Sequence, residues 1–149
     1  MASTLRPFHL AIPVDNLAVC RMFYREILEL PEGRHSDHWV DFDFFGHQLV
    51  IHLKEKNTEK PLSNFQKKDA HNLVDGKEVP VPHFGVVLDM DTFQTFSEKL
   101  IQKNITFIIE PCVRFKGEVG EQATMFFKDP AGNALEFKAF ADLTQLFAK

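Results

Sequence analysis

Hydrophobic and polar positions along this chain follow first a two-residue and then a helical period, and that succession occurs twice. Residues 8–14, FHLAIPV, are rich in β-branched and aromatic side chains and predict a strand. A helix capped by Asp15 should follow, with Leu17, Cys20, Tyr24, Ile27 and Leu28 on one stripe. HWVDFDFF at 38–45 and HQLVIHL at 47–53 predict two strands joined at Gly46. The second half opens on HFGVVLD at 83–89, again a strand. Asp91 then caps a helix carrying Phe93, Phe96, Leu100 and Ile101. ITFIIE (105–110), ATMFFKD (123–129) and ALEFKAF (134–140) complete the strands, the last two joined by the turn Asp129-Pro130-Ala131-Gly132-Asn133.

The expected architecture is therefore α+β, with paired βαβββ modules in one domain spanning 1–149. Module one covers about 8–53 and module two about 83–140. Residues 30–37, LPEGRHSD, are polar and turn-like and contain no obvious second strand for the first module. The polar stretch 54–82 has three prolines, one glycine and no clean period, which suits either a solvated tether or a lid. The terminal ADLTQLFAK predicts a short helix packing Leu143, Leu146 and Phe147.

Composition narrows the function. A net charge of −4 disfavours nucleic acid and anionic membrane, both of which need a basic footprint. Sixteen Phe residues against one Trp and one Tyr point to a dry aromatic core or pocket. Cys20 and Cys112 suit two reduced thiols, and MASTLRPFHLAIPV reads as neither signal peptide nor membrane span. The expectation is a cytoplasmic protein that meets a small molecule.

Three polar residues interrupt otherwise apolar strands at matching places in the duplication: His9, His83 and Glu136. Alternation lets one such residue per strand face a shared interior. Two imidazoles and a carboxylate make a ligand set that leaves open positions on a divalent ion. Glu136, between Leu135 and Phe137, needs a partner if buried; facing solvent, it would share its face with Lys138. Asp41 and Asp43 alternate with Val40, Phe42 and Phe44 as one polar strand face. Trp39, Phe45 and Phe126 are pocket walls or core, and His35, His38, His47 and His71 are surface or lid residues.

The paired modules, a His on each first strand and the closing KDPAGNALEF resemble the vicinal oxygen chelate superfamily from Phe8 to Phe140. That group includes glyoxalase I, extradiol dioxygenases, methylmalonyl-CoA epimerase, and the fosfomycin and bleomycin resistance proteins. The resemblance implies metal ligation by His9, His83 and Glu136, and pairing of two chains as a homodimer. Glyoxalase I-like members place Glu or Gln in the last strand of module one. Here that strand carries His52, matching the catalytic, non-ligating His of extradiol dioxygenases. The implied activity is a dioxygenase on a substrate with vicinal oxygens, using Fe(II), with Mn, Ni, Co or Zn as other candidate metals. Two departures stand against it. Phe126 occupies the place of a substrate-contacting Tyr, and RFKGEVGEQ lacks a second substrate-contacting His, leaving Arg114 or Lys116 as cationic contacts to an acidic substrate. A glyoxalase- or epimerase-like enzyme on Ni, Co or Zn, and a non-catalytic drug-binding protein, are the alternatives.

Overall fold

A computed structural model describes residues 5–55, 70–74 and 76–149. The chain divides into two compact units, Met1–Thr58 and Glu59–Lys149.

In the first unit, β1 (His9–Val14) leads into α1 (Leu17–Met22), which widens into a π-helical turn over Phe23–Ile27. The cap is Asn16 and not Asp15: the Asn16 side chain accepts from Val19 N at 3.1 Å, satisfying an amide with no partner inside the helix. Tyr24 and Cys20 are fully buried, and Tyr24 packs against Phe42 with ring centroids 5.5 Å apart. β2 (Glu32–His35), β3 (Trp39–Phe44) and β4 (His47–Leu53) complete a sheet of order β1-β4-β3-β2. β2 forms in the segment that read as turn-like. Its polar side chains find partners rather than core: Glu32 holds Arg21 of α1 through Nε at 2.9 Å, with Arg25 3.7 Å away. The β3–β4 hairpin turns on Phe45 and Gly46, with φ of 53° and 86°, the positive pair that a tight two-residue hairpin requires.

In the second unit, β5 (Ala70–Val74) and β6 (Lys77–Val81) pair as an antiparallel hairpin inside the stretch expected to lack structure. The remaining tether-or-lid segment, 56–69, lies outside the described residues. The single strand expected at 83–89 is two short ones, β7 (His83–Phe84) and β8 (Val87–Leu88), both parallel to β11 (Ala134–Phe140). Gly85 breaks them where the chain presses on β11: a Cβ there would sit 1.5 Å from the Glu136 carbonyl oxygen. α2 (Met90–Gln102) is capped by Asp89 rather than Asp91; its carboxylate takes Thr92 N at 2.8 Å and Thr92 Oγ1 at 2.6 Å. Phe93, Phe96 and Leu100 bury as expected, whereas Ile101 is exposed. Phe96 meets Phe137 of the sheet at 4.9 Å.

β9 (Phe107–Arg114) and β10 (Gln122–Lys128) complete a sheet in which β11 lies between β10 and the β7/β8 edge. Its order repeats that of the first unit: the module's first strand runs parallel to its last. The Asp129–Asn133 turn is held by the buried Asp129 carboxylate, which accepts from Ala131 N and Asn133 N at 3.0 and 2.8 Å. A 3-10 turn at Leu143–Phe147 closes the chain but packs little, with Leu143 and Phe147 exposed. Among the described residues no helix is long and apolar enough to cross a membrane.

Candidate metal centre and small-molecule pocket

β11 alternates from Leu135 to Ala139. Leu135, Phe137 and Ala139 are fully buried on the face that meets α2, while Glu136 and Lys138 occupy the opposite face. Glu136 is nevertheless only 10% exposed. Its Oε1 accepts from Thr124 Oγ1 at 2.8 Å and lies 3.7 Å from Lys138 Nζ, and its Oε2 faces His83 Nε2 at 2.9 Å. Both outcomes set out for this residue are thus partly realised: it is buried with a partner, and it shares its face with Lys138.

His83 is pinned from behind. Its Nδ1 donates to the Pro80 carbonyl at 2.6 Å, at the end of the β5–β6 hairpin. In a neutral ring this leaves Nε2 as a lone pair. A lone pair and a carboxylate oxygen 2.9 Å apart need a positive charge between them, a proton or a metal ion. Two donors each about 2.1 Å from one ion at a right angle would stand about 3.0 Å apart. The pair therefore fits a divalent ion in both donor chemistry and spacing. Among the described residues no group of three or more His, Cys, Asp or Glu side chains converges by itself on such a point. His83 and Glu136 make a candidate two-donor half-site.

The half-site borders a cavity of about 200 Å³ within the second unit. Its apolar wall comes from Val74 and Val79 of the hairpin and from Phe126. Phe126 packs edge-on to His83 at 5.0 Å and clusters with Val79 and Ile109, so it is wall and core together. The polar wall holds Arg114, Gln122, Thr124 and Lys138. Of the two cationic contacts suggested by sequence, Arg114 lines the cavity and Lys116 does not. Trp39 and Phe45 belong to the first unit.

His9 and His52 also belong to the first unit, on one face of its sheet. His9 Nδ1 donates to Gln48 Oε1 at 2.8 Å, and Gln48 Nε2 donates to Asp41 Oδ2 at 3.3 Å. This relay again leaves Nε2 of the imidazole available. Asp41 is therefore no solvated strand residue: it is 8% exposed and orients Gln48, with Arg34 Nε 3.8 Å away. Asp43 is exposed and accepts from Gly46 N at 2.7 Å. Sequence reasoning missed Thr124, Gln48, Asp41 and the Pro80 carbonyl as supports. The signal for Gln48 was register, since it stands directly opposite His9.

Register also relocates one residue. His9 pairs with Gln48 as His83 pairs with Ala134. Two residues further on, Val50 of β4 matches Glu136 of β11, and His52 matches Lys138. The last strand of module one thus carries valine where module two carries its carboxylate.

Comparisons agree with this duplicated architecture. The profile of the Glyoxalase/Bleomycin resistance protein/Dioxygenase superfamily matches residues 6–137. The chain is similar to the crystal structure of a glyoxalase/bleomycin resistance protein/dioxygenase from Alicyclobacillus acidocaldarius, with 29% identity and a TM-score of 0.74 over 99% of this chain and 100% of that one. It shares its fold with a lactoylglutathione lyase from Agrobacterium tumefaciens, with 17% identity, a TM-score of 0.63 and 97% of each chain covered. A genomically encoded fosfomycin resistance protein from Listeria monocytogenes does likewise, at 16% identity and a TM-score of 0.60 over 97% of this chain and 98% of that one. No protein of curated function matches the sequence. The profile runs from before the first module to within its last strand, the strand that bears Glu136, and so the chain belongs to the Glyoxalase/Bleomycin resistance protein/Dioxygenase superfamily.

Proposed function

We propose that this protein is a divalent-metal enzyme acting on a small substrate with vicinal oxygens, and that its reaction is a dioxygenation on Fe(II). His83 and Glu136 would hold the metal, with His9 as the third protein ligand. Bound there, the ion would supply Lewis acidity towards the substrate oxygens and a template for the reactants. The observation that carries the reading is Val50. A glyoxalase-like site uses a carboxylate or amide in the last strand of module one, and here the register position matching Glu136 is apolar. The protein ligands then stop at three, which leaves room for both a two-oxygen substrate and O₂.

The side chains support this division of labour. Thr124 ties up one oxygen of Glu136 and leaves the other aimed at His83. Pro80 and Gln48 hold the tautomers of His83 and His9. The buried Val79 and Phe126, with the more exposed Val74, give one side of the cavity an apolar lining. His52, on the strand of Gln48 and Val50, would remove a proton from a substrate hydroxyl and return it later.

The test is O₂ uptake by anaerobically Fe(II)-loaded protein given a panel of catechols and other vicinal diols. Uptake that requires Fe(II) supports the reading. No uptake, with turnover of methylglyoxal and glutathione on Ni(II) or Zn(II) instead, would replace it with a glyoxalase-like activity.

A further inference from the structure

The polar wall of the cavity carries two cations, Arg114 and Lys138, of which Lys138 also lies 3.7 Å from Glu136 Oε1. Gln122 pairs with Arg114 across β9–β10, and Thr124 pairs with Lys138 across β10–β11. Gln122 and Thr124 are two residues apart on β10, so all four side chains share one face. A bulge keeps it cationic. Cys112 stands opposite Thr124 but Ile109 opposite Phe126, so β9 holds one residue more than β10 across this step. Pro111, which has no N–H for the ladder, lies within the bulge. Ile109 instead of Glu110 therefore meets Phe126 on the cavity side, and Glu110 is exposed. With neutral imidazole, Arg114 and Lys138 outweigh Glu136 by one positive charge even before any metal is counted.

We infer that Arg114 and Lys138 form a carboxylate subsite, assisted by the Gln122 amide, and that the substrate is a ring-sized acid. The inference deepens the proposed function, because the same cavity would receive the substrate's vicinal oxygens beside His83 and Glu136. Gln122, opposite Arg114, stands four residues along β10 from Phe126, which lies opposite Glu136, so Arg114 marks the far end of the lining, whereas Lys138 Nζ lies 3.7 Å from Glu136 Oε1. A ring between Arg114 and the His83–Glu136 pair would carry its carboxylate at one end and its two oxygens at the other. The volume agrees: a cavity of about 150 Å³ admits benzene, and this one is about 200 Å³. Val74, Val79 and Phe126 would cover the ring faces.

The experiment uses the full chain stripped of metal, so that it stands apart from the metal reading. Binding of 4-hydroxybenzoate and of its uncharged isostere 4-hydroxybenzamide is measured by calorimetry. The acid should bind at least about tenfold more tightly than the amide, as expected of a charge-assisted bidentate contact. Arg114→Met and Lys138→Met should each remove most of that preference, with acid affinity falling far more than amide affinity, and Arg114→Lys should restore part of it. Melting curves establish that each variant is folded. Equal binding of acid and amide, binding of neither, or a preference that survives both substitutions would overturn the subsite. If the preference holds while the protein takes up no divalent metal, the subsite stands and the metal reading falls.

Discussion

Glu136 shows how much one side chain owes to its neighbours. A carboxylate only 10% exposed depends on Thr124, Lys138 and His83 for its partners. Glu136→Ala should abolish stoichiometric divalent metal, measured by elemental analysis after dialysis, while the melting transition survives. Thr124→Val leaves both donors in place and removes only the hydroxyl that orients Glu136. It should weaken metal affinity by about tenfold, the lower end for an outer-shell partner. Full retention of metal in Glu136→Ala would show that the ligand assignment is wrong. Glu32 supports a different kind of test. The hydrogen bond from Arg21 holds its carboxyl below the usual range, helped by the charges of Arg21, Arg25 and His35. A carboxyl depressed in the folded state contributes stability above its unfolded pKa of about 4.3, and that contribution is lost as pH falls through the folded value. Glu32→Gln should therefore be less stable than the parent above the unfolded pKa, with the gap closing as pH falls through the depressed folded value. A gap that is constant with pH in denaturant titrations would show that the ion pair is silent.

Among the elements, the broken first strand of module two has the clearest consequence. Gly85 lies so close to β11 that a methyl group would overlap the Glu136 carbonyl at 1.5 Å. Backbone cannot yield as a flexible side chain can. Gly85→Ala should cost about 3 kcal/mol or more, at the upper end for overpacking, and should weaken metal binding through β11. A melting temperature and metal content equal to the parent's would remove Gly85 from the account. The β5–β6 hairpin is the other element with a double role. It supplies the apolar wall through Val74 and Val79, and through Pro80 the carbonyl that orients His83. A polar spacing with no clean period concealed it, because a hairpin with exposed faces has little hydrophobic alternation to display.

At the scale of the whole molecule, the duplication gives a test that neither module provides alone. Matched through their first-strand histidines, Val50 answers to Glu136 and His52 to Lys138. If the proposed ligand set of His9, His83 and Glu136 holds, Val50→Glu should add a fourth ligand, tighten metal binding and suppress O₂-dependent turnover, whereas His52→Glu should add none. His52→Gln should leave metal content unchanged and lower turnover about a hundredfold, the scale of one lost general acid/base. Calorimetric metal titration and oxygen-electrode rates check both. If His52→Glu tightens the metal and Val50→Glu does not, the register equivalence is wrong.

The sequence by itself determined the repeated strand–helix–strands order apart from β2, most of the apolar face of both helices and the position of Glu136 on an alternating strand. Periodicity is a property of neighbouring residues and survives without a partner. It also brought forward His9, His83 and Glu136, because a polar residue in an apolar strand is visible locally, and the family resemblance added His52. It misplaced the caps at Asp15 and Asp91, since which of two nearby polar residues accepts the first amides depends on where the preceding strand stops. It passed over β2, whose stability comes from Arg21 and from pairing with β3 rather than from its own hydrophobicity. Only tertiary structure decided that His83 Nε2 meets Glu136 Oε2, that Thr124 and Pro80 hold them, and that a bulge at Pro111 turns Glu110 out of the cavity. Each of these depends on the register between strands distant in sequence, and register follows from packing and turn geometry that no single segment contains.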